Sequence, residues 1–132
     1  MTDELIEELV AAAKEAADNA YAPYSKYPVG AAVLTSGNFI FKGCNVENIS
    51  FGATVCAERV AIVKAVSEGY TDIVAIAVYH AGAALPYPCG MCRQMLTEFT
   101  RYAAVIISNG EVTEVTDIKQ LMPNTFETDE IA

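Results

Sequence analysis

Ile73-Val74-Ala75-Ile76-Ala77-Val78-Tyr79 is an unbroken apolar run of seven residues. A run this short and this apolar reads as a strand covered on both faces. Helical patterns flank it. Upstream, Ala57, Val60, Ala61, Val63, Lys64 and Ala65 follow Cys56, and Gly69 stands where a helix C-terminal glycine belongs. Downstream, a loop over 81–88 with two prolines leads into a helix predicted over 89–100. Another apolar run over 103–108 then reads as a second buried strand.

Working outward, Leu5, Ile6, Leu9, Val10, Ala13, Ala16, Ala17 and Ala20 recur at helical spacing. They predict an Ala-rich helix over 3–20, capped by Thr2 and ended at or before Pro23. Residues 29–35 and 39–46, joined by Ser36-Gly37-Asn38, read as a hairpin. Asn109-Gly110 is a turn signal before a weaker strand over 112–116. Asp117 is placed to cap a short last helix ending before Pro123. Strands separated by helices imply partly parallel pairing, with helices on both faces of one sheet. The 132 residues fit one domain, 1–132.

Hydrophobic residues make up 53% of the chain and mean hydropathy is +0.28, apolar for so small a domain. Part of that surface is expected to lie between subunits. The net charge is -9, so nucleic acid and anionic membranes are poor partners. No segment has the ~20 apolar residues that span a bilayer, and the acidic start Met1-Thr2-Asp3-Glu4 is unlike a signal peptide. The expected location is the cytoplasm, where the four cysteines stay reduced.

Cys89-Gly90-Met91-Cys92 opens a predicted helix, so its two sulfurs share one face, and the helix N-terminus lowers thiol pKa. A lone Cys-x-x-Cys is equally a redox motif. Cys56, at the other helix start, supplies a third sulfur. Three protein ligands leave one zinc position open, as in catalytic sites. Cys44 falls within a predicted strand and reads as a small buried hydrophobe rather than a fourth ligand. Glu58 diverges from Cys56 by roughly 200° on a regular helix. A turn only just starting would instead aim it at a water in the open position. Three thiolates on Zn²⁺ sum to a net negative charge, so an arginine donating to a ligand sulfur restores acidity. Arg59 is favoured for that role; Arg93 is open between it and the surface. His80, the one histidine, reads as a solvated strand-end residue.

Cys56-Ala57-Glu58-Arg59 with Pro88-Cys89-Gly90-Met91-Cys92-Arg93-Gln94 resembles the two zinc motifs of cytidine deaminases, in the three-cysteine variant. Tyr24-Ser25-Lys26-Tyr27-Pro28-Val29-Gly30-Ala31-Ala32 and Gly43-Cys44-Asn45-Val46-Glu47-Asn48 extend the resemblance, which runs from about Tyr21 to Phe126. It implies a three-layer α/β/α fold on a mixed five-stranded sheet, a homotetramer, and one Zn²⁺ per subunit held by Cys56, Cys89 and Cys92. It implies Glu58 as the proton-transfer residue and Asn45 and Glu47 at the ribose, Glu47 on the 3′-hydroxyl. Ala57 would offer backbone groups to the base. Tyr27 stands where the family often has Phe against the pyrimidine. Phe51 and Phe126 would reach the site across subunit interfaces, and both read equally well as core aromatics.

The activity implied is hydrolytic deamination of cytidine and 2′-deoxycytidine, in pyrimidine salvage. Blasticidin-type deaminases share the size and zinc motifs, but the Asn45-x-Glu47 pair favours a nucleoside. A non-catalytic zinc protein is the reading from a different class.

Overall fold

The central apolar run is the middle strand of the sheet. In the computed structural model, which describes residues 1–126, the chain runs α1 (Asp3–Ala17), β1 (Gly30–Thr35), β2 (Ile40–Cys44), a 3-10 turn (Phe51–Ala53), α2 (Ala57–Ser67), β3 (Ile73–Tyr79), α3 (Gly90–Phe99), β4 (Ala104–Ser108), β5 (Thr113–Asp117) and α4 (Ile118–Leu121). The last residues of the expected 1–132 domain, 127–132, lie outside the described residues. The sheet order is β2-β1-β3-β4-β5. Only β3 and β4 pair parallel, from Ala75↔Ala104 to Tyr79↔Ser108, because a helix must carry the chain across between them. The hairpin β1–β2, the β1–β3 pair and the β4–β5 pair are antiparallel. The sheet is mixed and five-stranded, as the resemblance implied.

Side-chain alternation divides the core into two layers. Ala32, Leu34, Ala75, Ala77 and Ile106 face α1, where Leu9 and Ala13 are fully buried. Ala31, Val33, Ile76, Val78, Val105 and Ile107 face the other way, onto Ala61, Ile62 and Leu96 of α2 and α3 and Ile118 of α4. Each buried Ile, Leu or Val contributes about 1.5–3 kcal/mol. That both faces are covered explains the unbroken apolar pattern of β3.

Two helices press their backbones against the hairpin. A Cβ on Gly30 would lie 1.8 Å from the Ala13 carbonyl oxygen of α1. A Cβ on Gly43 would lie 2.5 Å from the Ala61 nitrogen and 2.7 Å from the Ala57 oxygen of α2. The small-residue stripe of α1 therefore packs as closely as its sequence suggests.

The ends of elements differ from expectation at two places. Helix α1 stops at Ala17, short of Ala20, because the Asp18 N–H closes on the Ala16 and Glu15 carbonyls and the chain turns to pair Tyr21 with Asn45. Strand β2 stops at Cys44, and only Val46 beyond it makes isolated bridges, to Tyr21 and Val55. The caps are as read: Leu5 N–H donates to Thr2 Oγ at 3.2 Å, and Gln120 N–H to Asp117 Oδ1 at 2.8 Å. No helix among the described residues is long and apolar enough to cross a membrane.

Candidate active site

Cys56 and Cys89 are the N-cap residues of α2 and α3, both in extended backbone conformation. Cys92 lies in the first turn of α3 and is 2% exposed. The three sulfurs lie within 4.8 Å of one another, the one such grouping of metal-binding side chains among the described residues. Cys89 and Cys92 sulfurs are 3.4 Å apart. Two helix N-termini thus direct partial positive charge at one point, which favours thiolate. Cys56 is pulled down to about 5, first by a hydrogen bond from Cys92 and further by Arg59. Cys92 is pushed up by that same bond and by burial, so of these two thiols Cys56 ionises first. Three soft donors converging where charge is already favoured suit zinc. Cys44 stays at the end of β2, outside the cluster, and is half-buried rather than buried.

Because Cys56 is a cap, not a helical residue, the angular argument against Glu58 does not apply. Glu58 sits in the first turn of α2, is 6% exposed, and lines the same cleft as Cys56 and Cys89. Burial raises its pKa, and the neighbouring Cys56 adds to the rise. Arg59 points back across the cap. Its Nη2 donates to the Thr54 carbonyl at 3.0 Å and approaches Cys56 Sγ at 3.9 Å. Its Nε is buried with no hydrogen-bond partner among the described residues. Arg93, which the sequence left open, turns away: Nε donates to the Pro88 carbonyl at 2.7 Å and Nη1 to the Leu121 carbonyl at 3.0 Å.

The cleft over this cluster has a volume of about 480 Å³. It brings together Tyr27, Asn45, Glu47, Ala57 and Glu58, with Ser25, Thr54 and Tyr87 as further walls that the sequence reading did not single out. Asn45 is 8% exposed and is already bound to backbone at both ends. Its Nδ2 donates to the Tyr27 carbonyl at 2.8 Å, and its Oδ1 accepts from Val29 N–H at 2.9 Å. One N–H and one lone pair remain for a ligand. Glu47 accepts from the Tyr24 and Ser25 N–H groups at 3.0 and 3.1 Å and from the Ser25 hydroxyl. These bonds, the Ser25 hydroxyl first, hold it below the usual carboxylate range. Asn45 and Glu47 therefore also fix the 24–29 loop that carries Tyr27.

Phe51 and Phe126 lie outside this cleft. Phe51 is 73% exposed, with its ring edge-on to Tyr24 at 6.0 Å. Phe126 is 71% exposed and lines a different cleft of about 550 Å³ between α3 and α4. Neither is a core aromatic. His80 also departs from expectation. It is half-buried, stacked on Tyr27, and bonded to the Pro28 carbonyl, because the 24–29 loop folds over the end of β3. Nothing local in the sequence around His80 signals this, since Pro28 is 52 residues away.

Residues 3–109 match the model of the cytidine and deoxycytidylate deaminase zinc-binding region. The chain is 41% identical over 130 residues to a cytidine deaminase of Sporosarcina psychrophila, covering 96% of this chain and 95% of that one. A blasticidin-S deaminase of Bacillus cereus is more distant, at 34% identity over 113 residues, 75% of this chain and 76% of the relative. The crystal structure of a cytidine deaminase from Burkholderia pseudomallei superposes with a TM-score of 0.88 at 41% identity, over 96% of this chain and 100% of that one. With the cysteine cluster, the buried glutamate and the sheet topology all in place, the chain belongs to the cytidine deaminase family of hydrolytic deaminases.

Proposed function

We propose that this chain converts cytidine and 2′-deoxycytidine to uridine and 2′-deoxyuridine with release of ammonia, in pyrimidine salvage. The observation that carries the reading is the burial of Glu58 in one cleft with Cys56, Cys89, Asn45 and Glu47. Cys56, Cys89 and Cys92 would hold a zinc ion, which would supply the Lewis acidity that lowers the pKa of the attacking water. Glu58 takes a proton from that water and delivers it to ring N3 as the oxygen bonds to C4. The tetrahedral carbon then carries both hydroxyl and amine. Glu58 moves the hydroxyl proton to the amine, the C4–N bond breaks, and ammonia leaves a C4 carbonyl. A carboxyl whose pKa is raised by burial is suited to give a proton as well as take one. Arg59 withdraws charge from Cys56 and offsets the excess negative charge of three thiolates.

Glu47 and the free N–H of Asn45 are assigned to the ribose, Ala57 backbone and the Tyr27 ring to the base. Among the described residues no lysine or arginine lines the cleft, which fits an uncharged nucleoside better than a polynucleotide. The blasticidin-S deaminase of Bacillus cereus is less similar to this chain than the cytidine deaminase of Sporosarcina psychrophila, at 34% against 41% identity, which supports cytidine over that antibiotic. Ile49, Tyr102, Phe51 and Phe126 are each more than two-thirds exposed, and we assign them to contacts within a homotetramer of one-domain chains, each 1–132 with one zinc. Three reduced sulfurs at one point suit the cytoplasm.

The test is a spectrophotometric cytidine-to-uridine assay on purified protein of measured zinc content, alongside blasticidin S and a cytidine-containing oligonucleotide. Zinc-loaded protein that leaves cytidine unchanged would refute the assignment. Light scattering that returns a monomer mass would refute the tetramer.

A further inference from the structure

His80 is built into its place from three sides. Its Nδ1 lies 2.7 Å from the Pro28 carbonyl oxygen, which can only accept, so Nδ1 carries the hydrogen. One ring face stacks on Tyr27, with centroids 3.5 Å apart and planes 18° from parallel. A Cβ on Gly82 would fall 2.5 Å from His80 Nε2, so the ring occupies space that only a bare backbone leaves. Its own backbone is anchored to the sheet, with N–H donating to the Ser108 carbonyl at 3.2 Å.

Tyr27 needs such an anchor. It sits in a segment without helix or strand, next to Lys26 at φ 59. Its backbone is tied down by Ser25 and Asn45, but those bonds leave the ring free to rotate. His80 does not line the cleft; Tyr27 does. We propose that His80 is a positioning residue for substrate, holding the Tyr27 ring as a fixed flat wall of the cleft through the Tyr27–His80 stack. The inference rests on the reading that the cleft binds a pyrimidine nucleoside, whose planar base such a wall would orient.

An aromatic pair of this kind changes an equilibrium by about three- to tenfold. In zinc-loaded enzyme, His80→Ala should raise KM for cytidine by about that factor and leave kcat within about twofold. His80→Phe keeps a ring face without the N–H and should recover most of the loss. His80→Asn keeps a donor for Pro28 without a ring and should not. In the unliganded protein, labelled Tyr27 ring resonances, assigned through Tyr27→Phe, should move in His80→Ala and His80→Asn more than in His80→Phe. An unchanged KM with unmoved Tyr27 resonances in His80→Ala would overturn the proposal. So would rescue by Asn and not Phe, or a parallel fall of kcat and melting temperature in all three variants. If the wild type turns over neither cytidine nor deoxycytidine, the reading of the cleft fails by itself, and the resonances alone decide whether His80 holds the ring.

Discussion

The starts of α2 and α3 use the same parts to different ends. Each has a cysteine at the N-cap, and each has an arginine within the first turn and a half. In α2 the arginine is three residues after the cap, and it curls back to the Thr54 carbonyl and the Cys56 sulfur. In α3 it is four residues after, and it reaches the Pro88 and Leu121 carbonyls instead. One residue is about 100° of helix, enough to turn a side chain from the sulfurs to the scaffold. The carboxylate is likewise on one side only: Glu58 follows Cys56, whereas the matching position after Cys89 is Met91, exposed. The α2 start is equipped for charge and protons, the α3 start for ligation and anchoring.

The largest break in this contrast should come from Glu58→Gln. Turnover per bound zinc is expected to fall by at least about 10²–10⁴-fold, with zinc content and fold retained. Steady-state rates normalised to measured zinc check it, and wild-type-like turnover would remove Glu58 from the chemistry. Cys92→Ser should act on the other side of the contrast, lowering zinc content itself and turnover in proportion to it, read by metal analysis after dialysis. Arg59→Gln is expected to cost about 10- to 100-fold in turnover or zinc affinity. Arg59→Lys should not rescue it, since a single ammonium cannot serve Thr54 and Cys56 together. Arg93→Gln should leave turnover per zinc nearly unchanged and lower stability by about 1–3 kcal/mol through two lost hydrogen bonds, measured by denaturant unfolding. Equal kinetic effects from both arginines would erase the distinction.

The smallest effect concerns the other carboxylate of the cleft. Glu47 is depressed where Glu58 is raised, because Ser25 and backbone N–H groups bond its charged form. Its contribution to stability is therefore present above its ordinary value of 4.5 and lost as pH falls through its lower folded value. The melting-temperature advantage of wild type over Glu47→Gln should shrink as pH drops below about 4.5. An advantage that grows in acid would contradict the hydrogen-bond assignment.

Much of this was legible beforehand, for identifiable reasons. The apolar runs of β3 and β4 report burial on both faces, and Cys56, Glu58 and Cys89 to Cys92 sit at helix starts whose positions follow from Gly69, Pro88 and the apolar spacing. What could not be read depended on long-range packing. Residues 45–46 look like a strand continuation, but the chain beyond Cys44 is held by side-chain bonds to the 24–29 loop. His80 looks solvated because nothing local announces the loop that folds onto it. The direction of Arg93 depends on where α4 packs, which periodicity does not contain.

The missing side chain at Gly43 acts as a gauge of distance. The α2 backbone rests on it at Ala57, directly after Cys56 and before Glu58. The thickness of the hairpin there therefore sets how far the first sulfur and the carboxylate stand from the two sulfurs of α3. A methyl group at position 43 would act as a shim under one jaw of a clamp. Its signature would be a widened grip on the metal, in a residue that touches neither ion nor nucleoside.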